Sequence, residues 1–189
     1  SILRKLSLDT TSTGPIKGLV IGNVQSGKTA NMAALMAMAA DCGWNMFIIL
    51  SGTIENLRVQ TENRLYDDLH RDGTRIIWET LNKPSSRSPL IEKASRKSFS
   101  DSFHRYFTVC LKNKTRLKEL LLWLQEDSKA QKQMKILVID DEADQAGINT
   151  ADVDSNERKA INALITNLVN GKTHDGEECR SQYQCMNYI

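Results

Sequence analysis

The stretch Gly22-Asn23-Val24-Gln25-Ser26-Gly27-Lys28-Thr29 constrains this chain more than any other, because its Gly-x-x-x-x-Gly-Lys-Thr spacing suits one chemical task. The glycines let successive backbone N–H groups curl around a phosphate chain, and a helix opening at the loop's end turns its positive pole toward the same anion. On this reading Gly22, Asn23, Val24, Gln25, Ser26, Gly27, Lys28, Thr29 and Ala30 enclose the phosphates of a nucleotide. Lys28 then reaches the β- and γ-phosphates, and the Thr29 hydroxyl ligates Mg²⁺. Four specified positions at ordinary residue frequencies arise by chance in roughly one chain in a hundred of this length. A plain turn rich in Gly and Ser is therefore the weaker explanation, and ATP with Mg²⁺ are the expected cofactors.

The surroundings of the loop agree with that expectation. Gly18-Leu19-Val20-Ile21 reads as a strand before it, and Thr29 to Cys42, rich in Ala, Met and Leu, reads as a buried helix after it. Further strands are expected at Met46 to Leu50, Arg75 to Trp78, Phe107 to Leu111 and Ile136 to Ile139, and Met186 to Ile189 resembles the start of another. These runs are continuously apolar rather than alternating, which suits strands covered on both faces. Helical spacing recurs in Ile54 to Leu69, in Thr115 to Gln125 and in Arg158 to Leu168. The alternation of strand and helix predicts an α/β fold: a parallel sheet in a three-layer sandwich of the P-loop NTPase type, forming a single lobe over residues 1–189.

The run Ile136 to Ile139 leads directly into Asp140-Asp141-Glu142-Ala143-Asp144. An acid at the end of a neighbouring strand holds the Mg²⁺ in such NTPases. Taking Asp140 as the last strand residue assigns Asp141 to the metal and Glu142 to activating the attacking water. Adjacent acids at the start of a solvated helix would be the plainer reading, since acids favour that end.

Bulk properties exclude other classes. At 189 residues, with 40% hydrophobic and 25% charged residues, the chain suits one globular unit. Its formal net charge of +2 gives no broad basic field, so any nucleic-acid contact must be local. Cys42, Cys110, Cys179 and Cys185 lack zinc-site spacing and read as reduced thiols, while His70, His104 and His174 are scattered. The longest apolar run, Ala33 to Ala40, is too short for a membrane span, and no signal segment opens the chain, so a cytoplasmic protein is expected. The chain opens at Ser1 without Met and closes on an apparent strand start, which suggests part of a longer protein.

A Walker-type loop followed by Asp141-Glu142-Ala143-Asp144 resembles the first RecA-like domain of superfamily two helicases and translocases. Ser51 to Gln60 looks like the helicase segment that leaves a strand end, enters a helix and touches the nucleic-acid backbone. Lys112-Asn113-Lys114 stands where a further such contact is common. More specifically, the phosphate loop, Asn56-Leu57-Arg58-x-Gln60-Thr61 and Asp140 to Gln145 together are similar to the Z-one domain family over most of the chain, from about Gly18 to Ile189. These are bacterial and phage proteins labelled endonucleases and associated with restriction or defence loci. The resemblance implies ATP hydrolysis driving action on nucleic acid, with DNA the expected polymer, across Thr53, Asn56, Arg58, Gln60 and Lys112. It also implies a second helicase lobe and a nuclease or defence-system partner.

Two departures limit the expected activity. The Ser/Thr-Ala-Thr motif that would follow the acidic strand is missing, as are the arginine finger and the second lobe. An arginine finger contributes about 10³ to 10⁵ in rate, so this chain alone is expected to bind nucleotide but turn it over weakly. No acids and lysine on adjacent strand positions form a second, nuclease-type metal site. A small-molecule or nucleotide kinase fits the size, but no arginine-dense lid follows the acidic motif. Asn113-Lys114-Thr115-Arg116 hints at a guanine-nucleotide switch and fails at Arg116, where an Asp is needed. A binding module with a degenerate site is disfavoured because every expected phosphate and metal contact is present.

Overall fold

A computed structural model describes residues 2–19, 27–70, 73–85, 99–141, 155–179 and 182–189. After a short 3₁₀ turn at Ile2–Lys5 come β1 (Ile16–Lys17), α1 (Lys28–Asp41), β2 (Met46–Ser51), α2 (Glu55–Leu69), β3 (Ile77–Thr80) and β4 (His104–Leu111). They are followed by α3 (Lys114–Leu124), α4 (Ser128–Gln133), β5 (Lys135–Asp140), α5 (Ser155–Val169) and β6 (Cys185–Tyr188). The six strands form one sheet in the order β1-β6-β5-β2-β4-β3, and every pairing is parallel. The α/β class and the parallel sheet expected from sequence are both present.

The chain steps one way across the sheet through α1 and α2, then returns through α3, α4 and α5. Right-handed crossovers require those two sets of helices to lie on opposite faces. The core divides accordingly. Met46, Ile48 and Leu50 of β2 and Ile136 and Val138 of β5 pack with Leu117, Leu121, Ile161 and Leu168. Phe47 and Ile49 of β2 and Leu137 and Ile139 of β5 pack with Met36, Ala39, Ala40 and Leu65. Successive residues thus point to opposite helix layers, which is why these strands read as unbroken apolar runs. Each fully buried Leu, Ile or Phe contributes about 1.5–3 kcal/mol.

Several boundaries differ from those expected. β1 is Ile16–Lys17 rather than the apolar run beginning at Gly18, because its ladder is set by pairing with Asn187 and Tyr188. Gly18 still donates its N–H to the Tyr188 carbonyl (2.9 Å), while Val20 and Ile21 lie outside the described residues. β3 begins two residues later than Arg75 and includes Glu79 and Thr80, since an edge strand needs fewer apolar residues. β4 begins at His104. Arg105 within it is buried because its guanidinium donates to the Ala40 carbonyl (3.3 and 3.0 Å), a cation on the negative end of α1. α4, which has no apolar stripe, went unforeseen; the Asp127 side chain nucleates it by accepting from the N–H groups of Lys129 and Ala130. No helix among the described residues is long and apolar enough to cross a membrane.

All four cysteines are free. Burial pushes the Cys110 and Cys185 thiols up to about 12, whereas Cys42 is exposed. Only the thiolate attacks alkylating reagents, and a thiol raised from about 9 to about 12 forms roughly a thousandfold less of it at neutral pH. Iodoacetamide at neutral pH is therefore expected to label Cys42 in the folded protein and to spare Cys110 and Cys185, as peptide mass spectrometry would report.

Candidate nucleotide site at the carboxyl edge of the sheet

Because all strands are parallel, every carboxyl end lies on one edge. Register places Asp140 beside Leu50, and Leu111 beside Ser51. From β5 the chain turns toward β6 on one side, and from β2 toward β3 on the other, so their carboxyl ends diverge. Such a reversal opens the crevice in which open α/β sheets hold ligands. β1 stands two strands from β5, about 10 Å at ordinary strand spacing.

The connection from β1 ends at Gly27, the N-cap of α1. Gly27 has φ of 92°, a left-handed conformation that side chains resist, and a Cβ there would meet nothing closer than 3.9 Å. Backbone conformation, not crowding, is what requires glycine at this position. No side chain caps α1, so its opening N–H groups point out with the positive end of the helix dipole. Lys28 is exposed and Thr29 half-buried in this first turn. Gly27, Lys28, Thr29 and Ala30 line a cleft of about 490 Å³, closed on its other side by Arg64, Asp67 and Asp68 of α2. That volume falls in the range of small-molecule sites, about 300–1,000 Å³. The loop residues Gly22, Asn23, Val24, Gln25 and Ser26 lie outside the described residues.

Asp140 does close β5, as expected. Each of its carboxylate oxygens has a donor: Lys112 Nζ donates to Oδ1 (2.7 Å) and the Tyr188 hydroxyl donates to Oδ2 (2.7 Å). The side chains of Lys112 and Asp140 are only 3% and 5% exposed. Lys112 Nζ also donates to the Asp141 carbonyl (2.8 Å), and the Asp141 N–H donates to the Leu50 carbonyl (3.0 Å). The Lys112 N–H reaches the carbonyls of Ser51 and Gly52. One lysine therefore joins the ends of β2, β4 and β5, and Tyr188 adds β6.

This arrangement distinguishes two adjacent acids by their partners. Asp140 is held in a buried ion pair, and Asp141 and Thr29 carry the hard oxygen atoms that Mg²⁺ takes as ligands. Glu142 and Asp144 lie outside the described residues, among which no three His, Cys, Asp or Glu side chains group to hold a metal. The histidines serve local roles: His70 bridges the Tyr66 and Trp78 carbonyls, and His104 pairs with Asp101.

Two expected nucleic-acid contacts are corrected. Lys112 is buried in the pair just described rather than exposed. Arg58 is 3% exposed, donating to Glu55 (3.0 Å), Glu62 (2.6 Å) and the Val109 carbonyl (3.4 Å). Both cations are neutralised by carboxylates and turned inward. Thr53, Asn56 and Gln60 are exposed around the start of α2. Thr53 does not cap that helix, whose N-cap is Ile54. Asn113 does cap α3, accepting from the Arg116 N–H (2.9 Å), which accounts for it without any base-reading role.

Sequence reasoning missed Tyr188 and the α2 wall formed by Arg64, Asp67 and Asp68. No local signal marks them, since strand order sets Tyr188 beside Asp140 and helix packing sets α2 against the start of α1. Compared with protein-family models, curated proteins and solved structures, the chain matches none.

Proposed function

We propose that this chain is the ATP- and Mg²⁺-binding, ATP-hydrolysing RecA-like lobe of a superfamily two helicase or translocase of the Z-one type, acting on DNA. The observation that carries this reading is the phosphate-loop sequence running straight into an uncapped helix, whose first turn lines a cleft against α2. Asp141, held at the end of a nearby strand, supports it as the metal ligand, with Glu142 next in line to activate water. Thr53, Asn56 and Gln60 are the surface residues offered to the polymer backbone. A second lobe completes the ATP site, and a nuclease or defence-system partner in the bacterial or phage cytoplasm uses the motion.

Lys28→Ala tests the nucleotide assignment. A hydrogen bond to a charged group is worth about 1.5–3 kcal/mol, so ATP affinity by calorimetry is expected to fall roughly ten- to hundredfold. An unchanged affinity would remove the central assignment. For the motor, ATP turnover by the intact protein should rise on adding DNA or RNA; indifference to both, with phosphate passing to a small acceptor, would favour a kinase instead.

A further inference from the structure

Lys112, just past the end of β4, and Tyr188, at the end of β6, converge on Asp140 of β5; β6 is β5's neighbour, whereas β4 lies beyond β2. A buried carboxylate demands partners for both oxygens, and here each oxygen has one at 2.7 Å. The same ammonium fixes the next peptide, donating to the Asp141 carbonyl while the Asp141 N–H is held by β2. Both backbone groups of Asp141 are therefore tied. Burial first, then the Asp140 carboxylate it bonds, push the Tyr188 phenol up, so it stays a donor at neutral pH.

We propose that Lys112 and Tyr188 are positioning residues for the metal end of the site: they hold Asp140 in the buried pair, and Lys112 fixes the backbone from which Asp141 reaches the cation. This inference rests on the nucleotide reading above and adds which groups set the geometry of the metal ligand. Groups that orient a ligand from behind commonly alter metal affinity when removed, by about 10–100-fold.

Tyr188→Phe is the informative variant, because it keeps the ring that packs against the core and deletes only the hydroxyl. The readout is ATP affinity by calorimetry, measured once with Mg²⁺ and once with EDTA, on the whole protein. The gain in affinity that Mg²⁺ confers is expected to shrink about tenfold in Tyr188→Phe, with the EDTA affinity unchanged. Asp141→Asn is expected to abolish that gain. If Tyr188→Phe lowers the melting temperature and leaves the Mg²⁺ gain intact, the hydroxyl is merely structural and the inference falls while the nucleotide reading stands. If the unaltered protein binds no ATP in either condition, the nucleotide reading itself falls, and the inference with it.

Discussion

Lys112→Met lowers the stability of the folded protein by about 3–5 kcal/mol, the usual consequence of removing one partner from a buried ion pair. Lys112 and Asp140 are 3% and 5% exposed and 2.7 Å apart, so water cannot replace the lost ammonium. Methionine fills similar space, so the loss reports charge rather than a cavity. Asp140 would keep only the Tyr188 hydroxyl, and the Asp141 carbonyl would lose its donor. In a chain of 189 residues this corresponds to a melting temperature lower by about 6–20 °C. A double variant, Lys112→Met with Asp140→Leu, should recover much of the loss, since a well-packed apolar pair often matches a buried ionic one. Urea denaturation of the three proteins checks both statements; a loss below about 1 kcal/mol for Lys112→Met would mean the pair is effectively solvated.

Glu142→Gln is expected to reduce ATP turnover by about 10²–10⁴ while leaving ATP binding intact, the range that one positioned general base supplies. The strand end sets this expectation. Asp140 closes β5 and is paired with Lys112 and Tyr188, and Asp141, the proposed metal ligand, is held by its backbone. Glu142 is the next carboxylate along the chain, and glutamine keeps its shape while removing its basicity. Turnover by the intact protein in the presence of nucleic acid, beside equilibrium ATP binding, separates the two effects. Equal loss of binding and turnover would place Glu142 in the fold or the binding site rather than in the chemical step.

Much of the layer structure could be read from the chain. Met46 to Leu50 and Ile136 to Ile139 are apolar at every position because both faces of those strands are covered, and that burial leaves its mark residue by residue. Helices with apolar stripes, such as Lys114–Leu124, were visible for the same reason, whereas α4 depends on one capping side chain and was not. The strand starts at Ile16 and Ile77 were misjudged because ladder register, a property of two strands, sets them.

The candidate site divides along the same line. The phosphate loop and the acidic run are contiguous residues acting through local geometry, so Lys28, Thr29 and Asp141 could be named from their spacing alone. Arg58 and Lys112 show the opposite case: the helicase-like resemblance of their segments implied a nucleic-acid role that burial removes. Arg58 pairs within α2 with Glu55 and Glu62 and is buried by the packing of that helix on β4, whereas only the parallel register that sets β4 beside β2 and β2 beside β5 turned Lys112 toward a carboxylate in the interior. Charge is written in the chain, but its partner lies 28 residues away for Lys112 and Asp140, and folding alone brings them within 2.7 Å. The opening loop and the acidic run are contiguous and legible in the chain, while the tertiary structure decided that Asp140, and not Asp141, closes the buried ion pair with Lys112.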